Sequence, residues 1–182
     1  MSDKNFELLS MPASREPVSL LAVDRAVSEI RRGRMVAVRG AGGIAILVQA
    51  AEAITPEGLN EMHAFGQSAP VLSVTARRAA VLGLADTMGK IVTLSTKRQM
   101  TTPVIQYLAD PLSETPLSEE ARASLTVTVR ETPTYDCESA AVALTKIARL
   151  LPAAVTAEIV DPTADDLAAW SARHDFLLVD AG

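Results

Sequence analysis

Along this chain, segments whose apolar residues recur every three or four positions alternate with short unbroken apolar runs. That repeated change of period restricts the fold more than any other feature of the sequence. From Ser19 to Arg32 the residues Leu20, Ala22, Val23, Ala26, Val27 and Ile30 mark one face of a helix, and Gly33 is a natural stop. Met35–Val38 and Ile44–Val48 read as strands on either side of a glycine turn containing Gly40, Gly42 and Gly43. Thr55 followed by Pro56 and Glu57 is a cap, a first helical position and an acidic first turn, which predicts a helix to Phe65. Further strands are expected at Pro70–Val74 and Ile91–Leu94, with a short helix at Ala76–Leu82 between them.

The stretch through Pro103, Pro111 and Pro116 reads as an irregular connection with helical pieces. Leu125–Arg130 alternates apolar and polar residues, as a half-buried strand near a sheet edge would. A helix over Ser139–Leu151 presents Ala140, Ala143, Leu144, Ile147 and Leu151 on one face and is stopped by Pro152. A strand at Ala154–Val160 follows. A helix opened by Asp161, Pro162 and Thr163 then carries Leu167, Ala168 and Trp170, and a final strand covers Asp175–Val179. Strands and helices that alternate in this way imply an α/β, or α+β layered, domain with helices flanking a sheet.

At 182 residues the chain is long enough for one domain with its own core. That domain is expected over residues 18–182, after a flexible tail at 1–17 in which Pro12, Pro17 and scattered charges break any period. Aromatics are only 3% of the residues, so the core must be aliphatic. A net charge of -5 argues against a nucleic-acid partner, which would call for a basic face. No apolar run approaches the roughly 20 residues needed to cross a bilayer, and the N-terminus has no signal-peptide core, so no membrane partner is expected. Cys137, the single cysteine, can form no internal disulfide, which fits a reducing cytoplasm. The chain halts at Ala181 and Gly182 directly after an apolar strand, as a domain that continues into a longer protein would.

Few residues offer chemistry. The glycines after Arg39 lead into a strand rather than a helix with Lys-Ser/Thr, so they do not match a phosphate-binding loop. A shortened turn in which glycine supplies positive φ accounts for them. Thr126 and Thr128 share one side of a strand and could meet a ligand, although such alternation is ordinary for a half-exposed strand. Asp136 and Glu138 flank Cys137 and disfavour its thiolate, so a small buried residue is expected there. His63 and His174 are far apart and in no metal-ligand spacing, which predicts surface or helix-end positions. Trp170 is expected in the core, with a subunit contact as the alternative.

The turn Arg31-Arg32-Gly33-Arg34-Met35-Val36 and the run Ala50-Ala51-Glu52-Ala53-Ile54-Thr55-Pro56-Glu57 resemble the R-x-G-R-x-V and A-A-E-x-x-T-P-E segments of 3,4-dihydroxy-2-butanone-4-phosphate synthases of the riboflavin pathway. Near the other end, Leu151-Pro152-Ala153-Ala154-Val155-Thr156-Ala157-Glu158-Ile159 resembles that family's K-P-A-G-V-x-C-E-L. The stretch Ala172–Val179 is likewise similar to its closing A-x-x-H-x-x-x-x-V. The resemblance brackets about half of the chain and implies that family's mixed sheet flanked by helices. It also implies a homodimer, and a position ahead of a GTP cyclohydrolase II domain, to which such domains are commonly fused.

Members of the family rearrange ribulose 5-phosphate with magnesium and expel formate, using an acidic loop because hard cations prefer oxygen ligands. Ungapped counting from Glu52 sets part of that loop on Gly42, Gly43, Ile44, Ala45 and Ile46, and no carboxylate stands between Val36 and Gln49. Counting from Pro152 puts Cys137 at the family's histidine, whereas a different register deletes the histidine segment. In both registers the histidine is absent. Glu158 alone matches a catalytic position, the glutamate of C-E-L.

The resemblance therefore implies a catalytically degenerate synthase-like domain that serves as scaffold or dimerisation unit of a GTP cyclohydrolase II, with no metal site and no cofactor in this chain. Two alternatives stand beside it. One is an active lyase on ribulose 5-phosphate, which would use magnesium and Glu158 with carboxylates such as Asp110 or Glu114. The other is a small-molecule sensor that kept the pocket.

Overall fold

A computed structural model describes residues 16–40, 43–66, 68–84, 90–113, 127–132, 136–159 and 167–181. The expected tail and the expected helix start at Asp161 lie outside the described residues, apart from Glu16 and Pro17, which open the first helix.

Helix α1, Glu16–Arg31, begins three residues earlier than its apolar period suggests, because Pro17 is tolerated in a first turn. Its buried stripe is Ala26, Val27 and Ile30, while Leu20 is 65% exposed, so the apolar face is narrower than the sequence implies. Gly33 ends the helix at φ 77, with Arg34 N donating to Glu29 O at 3.0 Å and Gly33 N to Ile30 O at 3.0 Å.

Strands β1 (Val36–Arg39) and β2 (Ala45–Ala50) follow as an antiparallel pair. Helix α2 (Pro56–Phe65) is capped by Thr55, whose Oγ1 accepts from Gly58 N at 3.0 Å. Next come β3 (Val71–Thr75), α3 (Ala76–Val81) and β4 (Ile91–Thr96). Helix α4 (Thr102–Ala109) occupies part of the stretch read as irregular, and buries Ile105, Leu108 and Ala109.

Strand β5 (Val127–Thr132) precedes α5 (Cys137–Ile147) and β6 (Ala153–Glu158), and α6 (Leu167–Arg173) precedes β7 (Leu177–Asp180). Helix α5 departs from the expected Ser139–Leu151. It starts earlier because the Asp136 side chain accepts from Cys137 N at 2.8 Å. It ends at Ile147 because Arg149 turns into the left-handed region at φ 60, ahead of Pro152. Its buried face is Cys137, Glu138, Ala141, Val142, Leu144 and Thr145, and Ala143 and Ile147 face outward.

The seven strands form one mixed sheet in the order β5-β4-β3-β6-β2-β1-β7. Only β1 and β7 pair in parallel; the other described pairs are antiparallel. One face carries α1 and α5 over Val36, Val38, Ile46, Val48, Ile91, Ala154 and Val179. The other buries Leu47, Leu72, Val74, Leu94 and Val155 beneath residues of α2, α3, α4 and α6. This is the layered architecture expected from the alternating periods. Trp170 is 8% exposed and packs with Phe65 and Phe176, so its place is the core. No helix among the described residues is long and apolar enough to cross a membrane.

Candidate functional site

Strands β5, β4, β3 and β6 lie side by side, so residues far apart in sequence fall into cross-sheet rows. The register Thr128↔Ser95 on β5 and β4, and Val71↔Thr156 on β3 and β6, aligns one such row. Arg130↔Thr93 starts the next row, and Glu158 lies two residues beyond Thr156 on the same face. Above these rows sit the first turn of α5, with Asp136 and Glu138, and the β1–β2 turn, with Ile44. Together they enclose a groove of about 330 Å³ that also touches Ser68, Ile46 and Ala157.

Thr128 and Glu158, two of the residues singled out in the sequence, therefore meet in one groove, both on its exposed rim. Thr126 and Gly42 lie outside the described residues. Gly40 and Gly43 belong to the turn at the groove's edge. Gly43 adopts φ 80, and Gly40 N donates to Ile44 O at 2.8 Å, closing the turn.

Arg130, Thr93 and Thr156, which also line the groove, were not singled out in the sequence. Arg130 donates from Nη2 to Glu138 Oε1 at 2.9 Å, an ion pair whose carboxylate side chain is 12% exposed. Thr93 exchanges hydrogen bonds with Ser73 at 3.4 Å and Thr132 at 3.1 Å, forming a buried hydroxyl chain across three strands. Thr156 is 1% exposed, and its Oγ1 has no hydrogen-bond partner among the described residues. A buried hydroxyl left unpaired costs roughly 1–3 kcal/mol, so its presence on a groove floor calls for a reason. Period-two spacing carried the signal for two of them: Arg130 shares a strand face with Thr128, and Thr156 with Glu158.

Cys137 is fully buried at the first turn of α5, and its thiol contacts Ile44 O at 3.6 Å. Burial, then the nearby charges of Asp136 and Glu138, push that thiol up to about 11, so it stays protonated at neutral pH. A Cβ on Gly40 would collide with Cys137 Sγ, which explains why this turn carries no side chain at that point. Gly40→Ala is expected to cost about 1–3 kcal/mol by overpacking. In a Cys137→Ala background the same change should cost less than half as much in urea unfolding. Equal costs in both backgrounds would show that the collision is not the cause.

His63 and His174 are exposed, and His174 closes the aromatic group of Phe65, Trp170 and Phe176. A wider groove, about 1270 Å³, runs between the end of α1 and the start of α2. Its charges are partly spent on one another, with Glu29 holding both Arg32 and Arg34, and it contains none of Thr128, Glu158, Gly40 and Gly43.

Comparison with known proteins bears on the fold. No family model matches the chain. A GTP cyclohydrolase-2 from Azospirillum brasilense is 37% identical over 166 residues, which cover 91% of this chain; the chain spans 42% of that protein's length. Among solved structures, a 3,4-dihydroxy-2-butanone 4-phosphate synthase from Candida albicans aligns with a TM-score of 0.67 at 19% identity, over 87% of this chain and 93% of that one. A synthase of the same name in complex with two magnesium ions aligns with a TM-score of 0.65 at 19% identity, covering 87% and 92%. A two-domain synthase from A. baumannii aligns at 0.62 and 18% identity, with 87% of this chain matched to 55% of that one.

The described residues of the groove do not fit a magnesium ion, and Glu114 lies outside the described residues. Of the three carboxylates on the groove, Asp136 caps α5, Glu138 is held by Arg130, and Glu158 stands apart. No group of three or more His, Cys, Asp or Glu among the described residues is placed to hold a metal. With 87% of the chain aligned at TM-scores of 0.65 and 0.67, the chain has the fold of 3,4-dihydroxy-2-butanone 4-phosphate synthases.

Proposed function

We propose that this domain belongs to a riboflavin-pathway protein of the GTP cyclohydrolase II type and serves there as a non-catalytic scaffold that pairs two copies of the chain. The observation that carries the reading is the β1–β2 turn, where Gly40, Gly43 and Ile44 stand in a stretch, Val36 to Gln49, that contains no carboxylate. Formate expulsion needs a hard-cation cage and a group that moves protons near neutrality. A buried thiol at about 11 and a glutamate clamped by arginine supply neither. Opening of GTP is assigned to another part of the whole protein, since zinc chemistry based on cysteine needs more than the one buried here. Similarity to a cyclohydrolase of which this chain matches 42% supports that division of labour.

The test is an assay of released formate, coupled to formate dehydrogenase, with the purified chain, ribulose 5-phosphate and 10-fold excess magnesium. No formate above the protein-free blank is expected, and magnesium alone should leave the thermal midpoint unchanged. Catalytic formate release abolished by Glu158→Gln would replace this reading with the active-lyase one. Sedimentation equilibrium is expected to give the mass of a dimer, and a clean monomer at micromolar concentration would remove the pairing role.

A further inference from the structure

The wide groove of about 1270 Å³ lies at the opposite end of β1 and β2 from the glycine turn, since Gly33 and Met35 lead into β1 and Gln49 stands near the end of β2. Its walls carry opposite charge. On the α1 side, Arg25 and Arg32 are seven residues apart and share one helix face. With Arg31 and Arg34 they outnumber the carboxylates Asp24 and Glu29. On the α2 side, Glu57 and Glu61 stand one turn apart on a common face, and Asp175 ahead of β7 adds a third carboxylate.

These walls do not neutralise each other. Glu29 holds Arg32 at 2.8 Å and Arg34 at 3.1 Å from within the α1 side, and Arg31 donates to Ala148 O and Ile147 O. No ion pair among the described residues crosses from these arginines to Glu57, Glu61 or Asp175. The four arginines and the three facing carboxylates are all exposed, so both walls present charge to a guest.

Volume then selects the size of that guest, and the walls select its pattern. Small-molecule sites span roughly 300–1,000 Å³, so a trough of about 1270 Å³ suits a stretch of polypeptide. In an extended strand successive side chains point to opposite sides, so residues of one parity would meet α1 and those of the other α2. Acidic residues on the first side and basic residues on the second complement both walls at once. Half-buried Phe176 and Leu177 add an apolar surface for the stems of lysines.

We propose that this groove docks an extended polypeptide segment of alternating charge, with its acidic side chains toward α1 and its basic side chains toward α2. The proposal goes beyond the scaffold reading, and its test reads neither formate nor the mass of the assembly.

The experiment titrates the 15N-labelled chain at low salt with a capped octapeptide of alternating Glu and Lys, whose like charges at i and i+4 disfavour a helix. Capped octa-glutamate and octa-lysine are the controls. The alternating peptide is expected to shift the amides of Arg25, Arg32, Glu57 and Glu61 and to leave those of Thr128 and Glu158 unmoved. It should bind at least about fivefold more tightly than either control. Arg25→Ala and Glu61→Ala, both at exposed sites, should each weaken that binding about threefold or more, and added salt should weaken it throughout. Unchanged thermal midpoints of the two variants establish that they fold. Three results overturn the proposal: octa-lysine binds as tightly, which would reduce the effect to the net charge of -5; the shifts fall outside the groove; or both variants bind unchanged.

Discussion

Leu72→Ala is expected to lower the unfolding free energy by about 3–5 kcal/mol, the range for a large-to-small change in a core that cannot collapse around the gap. Leu72 is fully buried on β3, with Leu94 of β4 and Val155 of β6 directly beside it in register, both also fully buried. Three aliphatic side chains thus form one row on the face that receives α2, α3, α4 and α6. In a domain of this size the loss corresponds to a drop of roughly 6–20 °C in thermal midpoint. It is also a large part of the roughly 5–15 kcal/mol that holds an ordinary domain together. Val81→Ala, at a site 74% exposed, is the control and should stay within about 0.5 kcal/mol of the parent. If Leu72→Ala matched that control in urea unfolding, the row would not be the centre of the core.

Arg78→Ala is expected to cost about 2–4 kcal/mol, because one guanidinium supplies donors to the closing carbonyls of a whole helix. Its Nε donates to Leu108 O at 2.8 Å, and its Nη2 donates to Tyr107 O at 3.0 Å and Asp110 O at 3.0 Å. The forked geometry serves three acceptors at once. Arg78→Lys keeps the charge and loses the fork, so about half of the loss should remain. Hydrogen exchange supplies the specific signature: amides of α4 should lose protection well before those of β3 and β6. Uniform loss across the sheet would show that Arg78 acts on the core as a whole and not on α4.

Helix α4 is one of the helical pieces expected in the stretch through Pro103, Pro111 and Pro116, but its bounds could not be read there. Pro103 stands in its first turn, where its missing N–H is not needed, with Thr101 as the cap residue. Elsewhere local signals sufficed. The Thr55–Pro56 start of α2 and the Gly33 end of α1 appear as read, because caps are decided by a few neighbouring residues. Strand β5 runs to Thr132, two residues past the expected end at Arg130, and Thr128 lies on its exposed face as its alternation suggested.

The groove was legible only in fragments. Thr128 and Glu158 stood out for separate reasons, thirty residues apart, and nothing in either segment states that β4 and β3 lie between β5 and β6. The pairing of Arg130 with Glu138, and the isolation of the Thr156 hydroxyl, are products of register and helix placement. Burial of charge and hydroxyl depends on such long-range partners, and a single sequence does not print them.

The lone parallel pairing in the sheet has a consequence for synthesis. Val36 of β1 meets Leu177 of β7, so the outer margin of β1 is completed by a segment that leaves the ribosome 141 residues later. Until then a margin of fully buried valines and alanine has no neighbour on that side, a surface on which nascent chains stick to one another. Premature termination ahead of residue 177 therefore exposes an adhesive seam rather than merely shortening the molecule.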